Sequence, residues 1–170
     1  MRGAVQYPTM PASRMSFVDR LRPDLVCFAP PWHSFEDTVR GLVRALVCAG
    51  AVTAAAEAEA VSAVLTRETA SSTALLEIDA GVPHARLAGL DGPVVALAVS
   101  PAGLYEAVPT VPIHLVALVL SPPVDTTGHL QTLAGIATLL RSADLRQALL
   151  NSGTAPDAYE ALVRHVRGQR

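Results

Sequence analysis

The segments Val94-Val95-Ala96-Leu97-Ala98-Val99 and Ile113-His114-Leu115-Val116-Ala117-Leu118-Val119-Leu120 decide the fold. Both are short and aliphatic, and neither alternates polar with apolar residues. A strand wetted on one face shows that alternation, so these two must be covered on both faces. Residues at helical spacing stand on either side of them. Upstream, Val39, Leu42, Val43, Leu46 and Val47 follow Ser34 and Asp37, which form a capping pair, and Gly50 closes the helix. Thr53 then caps an alanine-rich helix with Val61, Val64 and Leu65 on its apolar face, expected to end around Arg67 and Glu68. A further β-type run is expected over residues 74–78. Downstream of Pro122-Pro123, Leu130, Leu133, Ile136, Leu139 and Leu140 mark one helix. Leu145, Leu149 and Leu150 mark a second that Gly153 ends, and Thr154 with Asp157 caps a last one through about Val166. This order predicts an α/β chain folded as a three-layer α/β/α sandwich around a small mixed β-sheet. The single domain is expected over residues 17–167, behind a flexible lead-in at residues 1–16 that carries Gly3, Pro8 and Pro11.

Composition narrows the function classes. A chain of 170 residues has room for one domain, and 51% hydrophobic residues against 16% charged exclude global disorder. The basic residues are all arginine, yet the formal net charge is −2, so no global basic field exists to draw nucleic acid. The longest apolar stretch, residues 111–120, is half of the ~20 residues a membrane helix needs. No apolar signal segment follows Arg2, so a cytoplasmic protein without direct membrane insertion is expected. Cys27 and Cys48 stand in apolar runs and are expected to be buried, inert and unbridged.

Chemistry is sought first among the five histidines, because imidazole alone changes charge near neutral pH unperturbed and is also a nucleophile. His84 stands in Gly81-Val82-Pro83-His84-Ala85-Arg86, where Gly and Pro predict a turn after a strand. Upstream lie Arg67-Glu68 and then Ser71-Ser72-Thr73, and downstream His129 follows Gly128 at the opening of a helix. Imidazole, guanidinium and hydroxyl together suit a phosphohistidine site: a nitrogen to take the phosphoryl group and donors to hold its oxygens. No HxxxH or CxxC spacing supports a metal, and no G-x-S-x-G supports a hydrolase. His33 reads as loop packing, His165 as part of a solvated end, and His114 as a strand-interior residue that would line the site only as a minority reading.

The order Leu65-Thr66-Arg67-Glu68, Ser72-Thr73, Gly81-Val82-Pro83-His84-Ala85-Arg86, Pro112-Ile113-His114-Leu115-Val116, Ser121-Pro122-Pro123 and Gly128-His129-Leu130 resembles a known family. It is similar to the enzyme IIA domains of the phosphoenolpyruvate-dependent sugar phosphotransferase system, fructose/mannitol class, which includes the nitrogen-regulatory paralogue. The resemblance implies that His84 takes a phosphoryl group from an HPr-like phosphocarrier and passes it to a cysteine of an enzyme IIB partner. It implies Arg67 beside the active histidine, His129 as the second histidine and Thr73 as the hydroxyl of the Ser-Thr motif, with no metal or organic cofactor. The chain departs from the family pattern at Ala74, where glycine is usual, and at Pro109-Thr110, where Asp-Gly is usual. Asp79 is an added acid, expected close to His84. The alternative is a regulatory or degenerate binding module of the same fold that controls a partner protein.

Overall fold

The computed structural model describes residues 17–169, so the expected lead-in at residues 1–16 lies outside the described residues. The elements follow in the order α1 (Phe17–Arg20), β1 (Val26–Phe28), α2 (Phe35–Cys48), α3 (Glu57–Ala70), β2 (Ala74–Leu75), β3 (Ala80–Gly81), β4 (His84–Arg86), β5 (Val94–Val99), β6 (Tyr105–Val108), β7 (Val111–Ile113), β8 (Leu115–Ser121), α4 (Thr126–Leu140), α5 (Ala143–Leu150) and α6 (Ala155–Gly168).

β8 is the centre of the fold, and all seven of its residues are buried. All but its last residue pair antiparallel with β5, from Val94 opposite Leu120 to Val99 opposite Leu115. β1 lies parallel on the far side of β5. The other edge of β8 is shared by two short parallel strands, β3 at Leu115 and Val116 and β4 at Val119 to Ser121, and β2 pairs antiparallel with β3. Val82 and Pro83 separate the two short strands. Proline has no N–H to give a ladder, which is why the edge breaks there and restarts at His84. The helices α2 and α3 pack on each other and on β5 and β4, whereas α4, α5 and α6 pack chiefly among themselves and on β8 and β1. The result is the mixed α/β sandwich expected from strands apolar on both faces.

Local signals explain most of the boundaries. Ser34 accepts from Asp37 N to start α2, Ser142 from Leu145 N to start α5, and Thr154 from Asp157 N to start α6. Gly50 and Gly153 take φ of +74° and +82° just past the ends of α2 and α5.

Several expectations are corrected. Thr53 makes no side-chain cap, a 3-10 turn precedes α3, and α3 runs on to Ala70 because the chain does not turn until Ser71. Only Ala74 and Leu75 of residues 74–78 are strand, the rest being a 3-10 turn that ends at Asp79 in a left-handed conformation. The run 113–120 breaks at His114, where the chain leaves the separate β6-β7 hairpin and joins the main sheet. His84 opens strand β4 rather than sitting in a turn. Both cysteines are free, but Cys27 is only half-buried and Cys48 is exposed on the outer face of α2. Among the described residues no helix is long and apolar enough to cross a membrane.

Candidate functional site

Strand β4 and the first turn of α4 bring two imidazoles together. The rings of His84 and His129 meet edge to face, with centroids 5.4 Å apart and planes at 62°. His84 is half-buried, and its Nδ1 lies 2.8 Å from the carbonyl oxygen of Val82. A carbonyl only accepts, so Nδ1 carries the hydrogen and the neutral ring keeps its lone pair on Nε2. His129 is 7% exposed, and its Nδ1 lies 2.9 Å from Oγ of the fully buried Ser121.

α4 begins where it does because Asp125 accepts from Gly128 N at 2.8 Å. A Cβ on Gly128 would overlap that carboxylate, so the cap lies flat against the first turn only over glycine. Arg86, two residues after His84, donates from Nη1 to the carbonyls of Pro122 and Asp125, both at 3.2 Å. The strand that carries one histidine thus grips the loop that leads into the helix of the other. The charges of Arg86 and Arg67 both bear on His129, and burial first and then these charges hold its pKa below the ordinary 6.5, with His84 adding to the effect and Asp125 opposing it. His129 is therefore neutral near pH 7 in a locally positive field.

Arg67 is exposed on the last turns of α3 and donates to Ser71 O at 3.2 Å. Thr73 lies on the loop after α3, its carbonyl accepting from Val82 N at 3.1 Å. Its hydroxyl is not free: it donates to Glu68 Oε2 at 2.6 Å, while Glu68 Oε1 accepts from Thr73 N and Ser72 Oγ at 2.9 and 3.1 Å. Of the four residues singled out, the structure thus brings His84 and His129 into ring contact, sets Arg67 within electrostatic reach and places Thr73 behind the backbone of Val82.

Asp79 does not join them. Its carbonyl accepts from His114 N and Leu115 N, whereas His84 pairs with Val119, so roughly 13 Å of β8 separates the two levels at ~3.3 Å per residue. The Asp79 side chain is exposed at that far end. His114 shares that end and donates from Nδ1 to Ser100 O at 2.9 Å, so it lines the turn below the sheet. Ala74 sits in β2 opposite Gly81 with no left-handed backbone, and alanine is accommodated there. Among the described residues, no group of three or more His, Cys, Asp or Glu side chains is placed to hold a metal ion.

Sequence reasoning gave no role to Glu68, Arg86 or Ser121 beyond their place in the motifs and did not single out Asp125. Asp125 was findable as an N-cap three residues before Gly128, and Glu68 by its nearness to Ser72 and Thr73, whereas the partners of Arg86 lie 36 and 39 residues away.

The fold has known counterparts. The profile of the family described as "Phosphoenolpyruvate-dependent sugar phosphotransferase system, EIIA 2" matches residues 20–165. A "Nitrogen regulatory protein" of Pseudomonas aeruginosa is 34% identical over 89 residues, which is 52% of this chain and 58% of that protein. A "PTS system fructose-specific EIIA component" of Haloferax volcanii is 28% identical over 144 residues, 84% of this chain and 92% of that protein. Among solved structures, the nitrogen regulatory protein IIA-Ntr from Neisseria meningitidis superposes with a TM-score of 0.72 at 20% identity, covering 85% of this chain and 97% of that one. Enzyme IIAMTL from Escherichia coli, in complex with phosphorylated enzyme IIBMTL, gives 0.68 at 19% identity, covering 85% and 97%.

Proposed function

The chain belongs to the EIIA type 2 family of the phosphoenolpyruvate-dependent sugar phosphotransferase system, and from that premise we propose that it is a phosphoryl carrier whose acceptor atom is Nε2 of His84. The observation that carries this reading is the short contact between His84 Nδ1 and Val82 O, which leaves the Nε2 lone pair of a neutral ring available beside His129. In the proposed step this lone pair forms the new N–P bond while the N–P bond to the imidazole of an HPr-like carrier breaks. The donor nitrogen keeps the electron pair. No proton need leave His84, because Nδ1–H stays on Val82 O throughout.

Neighbouring groups have distinct parts in this reading. Ser121 donates to His129 Nδ1, and the Nε2–H of neutral His129 is then a donor for a phosphoryl oxygen. Arg67, exposed and anchored by one nitrogen only, has further N–H groups for the same oxygens. Thr73, its hydroxyl committed to Glu68, holds the loop rather than the phosphate. Preplaced donors of this kind stabilise transferring charge without reorganisation.

Transfer between two proteins needs a docking face more than a pocket. Val124, 94% exposed, and Leu130, 59% exposed, flank the first turn of α4 and offer apolar contact beside the histidines. The phosphoryl group then passes to a cysteine of an enzyme IIB partner, a step supported by the IIA–IIB complex of the related fold. A cytoplasmic setting follows from such partners. The name of the Pseudomonas relative favours a second reading, in which the same phosphorylation is a signal that controls a bound partner.

The test is incubation with phosphoenolpyruvate, enzyme I and HPr, followed by intact-mass measurement at alkaline pH beside His84→Ala. One phosphoryl adduct on the wild type and none on the variant is expected. An adduct that survives in His84→Ala would remove the assignment, and a wild type that stays unlabelled beside an active donor would leave the binding module.

A further inference from the structure

We propose that Glu68 is a positioning residue for His84, acting through the backbone of Thr73 and Val82 to select the imidazole tautomer that exposes Nε2. This inference rests on the reading of His84 as phosphoryl acceptor. Glu68 touches the ring nowhere in the hydrogen-bond pattern. It acts through a series: its carboxylate accepts from Ser72 Oγ, Thr73 N and Thr73 Oγ1 at 3.1, 2.9 and 2.6 Å; Thr73 O accepts from Val82 N at 3.1 Å; Val82 O accepts from His84 Nδ1 at 2.8 Å.

The series matters because of where it runs. Val82 and Pro83 lie between β3 and β4; Pro83 O accepts from Val119 N at 3.0 Å, but the Val82 carbonyl faces the imidazole and the Val82–Pro83 peptide has no N–H to give to a ladder. The bond from Val82 N to Thr73 O holds the adjoining Gly81–Val82 peptide, and with it the position of Val82 from which the carbonyl reaches His84. The Thr73 carbonyl in turn belongs to a loop just beyond the end of α3, and what pins that loop to the helix is Glu68.

A carboxylate is the group this position requires. It presents two acceptor oxygens and no donor, which matches three incoming hydrogens from Ser72 and Thr73. An amide has one acceptor oxygen and an NH2 group that would meet a donor. Glu68→Gln therefore keeps the size of the side chain and turns one of these contacts from attraction to repulsion.

The experiment follows the ring directly. Uniformly 15N-labelled wild type, Glu68→Gln, Glu68→Ala and Thr73→Val are compared by long-range 1H–15N correlation of the imidazoles at mildly alkaline pH. Phosphoryl acceptance from HPr, driven by phosphoenolpyruvate and enzyme I, is timed on the same samples. The wild type is expected to show His84 as one tautomer with hydrogen on Nδ1. Glu68→Gln is expected to show a mixture at His84 with His129 unchanged, and an acceptance rate lower by about tenfold, the effect of ~1.4 kcal/mol. Thr73→Val, which keeps the backbone bond, should show the same change in smaller degree.

Glu68 variants that are folded by circular dichroism, with a single His84 tautomer and the wild-type rate, would overturn the proposal. If both Glu68 variants fail to fold, an unchanged His84 tautomer in Thr73→Val overturns it equally. A wild type that accepts no phosphoryl group, together with a tautomer that still responds to Glu68→Gln, would sink the carrier reading and leave the positioning role standing.

Discussion

His84 and His129, 45 residues apart in the chain, stand with ring centroids 5.4 Å apart, and each fixes its own Nδ1 on a neighbour of different kind. His84 uses a backbone carbonyl that can only accept, and His129 uses the hydroxyl of Ser121, which can do either. One ring is thereby held in a single tautomer, with hydrogen on Nδ1, while the other can take either tautomer.

The burial of His129 makes folding depend on pH. Its pKa is lowered in the folded state, so the unfolded chain binds the proton more readily. Stability from this group is complete above the unfolded value of ~6.5 and is lost as pH falls through that value toward the lower folded one. Chemical denaturation midpoints of the wild type should decline from pH 7.5 to 5.5, and His129→Asn should flatten part of that decline. An identical slope in the two proteins would show that His129 does not supply it.

Tyr105 stacks edge-on against Phe35, with centroids 5.3 Å apart, and is 9% exposed, yet its hydroxyl has no hydrogen-bond partner. Burial and the charge of Glu68 both push the phenol pKa far up, so it stays protonated. A buried hydroxyl without a partner costs ~1–3 kcal/mol, and Tyr105→Phe is expected to raise stability by about 1 kcal/mol. Differential scanning calorimetry decides this: a melting temperature lower than wild type would mean that the hydroxyl is satisfied in solution.

Gly41 lies inside α2, where alanine ordinarily stabilises a helix by ~0.8–1 kcal/mol. Here the ring of Trp32 lies over the glycine, and a Cβ would overlap it. Gly41→Ala is expected to reverse the usual sign and destabilise by about 1 kcal/mol or more, as overpacking does. Trp32 is the sole tryptophan, so its fluorescence should shift to the red as the ring is lifted into water.

Thr110 occupies the second turn position of the β6-β7 hairpin with φ of +71°, a conformation strained for a β-branched residue. The family pattern has glycine in this Asp-Gly turn, and the structure supplies the reason. Thr110→Gly is expected to stabilise by ~1 kcal/mol after the added chain entropy of glycine is subtracted. Thermal melts read the outcome, with phosphoryl acceptance unchanged because the hairpin stands apart from the two histidines.

What the sequence determined by itself is what depends on near neighbours. Helical spacing and the caps at Ser34 and Thr154 are relations within one or two turns, and they located α2 and α6 to within about two residues. The unalternating runs at Val94 and Leu115 implied cover on both faces, because a strand records its own exposure in its own residues. The order of short motifs was enough to suggest the family.

Tertiary structure alone decided which of these residues meet. β2, β3 and β4 are two or three residues long; β3 and β4 exist only because the edge of β8 receives them, and β2 because β3 does. The register against that strand carries Asp79 to the far end and brings His84 level with Val119, beside the loop that leads to His129. Glu68, Arg86 and Ser121 likewise acquire their partners through pairing and packing between segments distant or newly turned in the chain. Periodicity is a property of consecutive residues, whereas a site is a coincidence of side chains set by long-range register, and that register is written in the sheet as a whole.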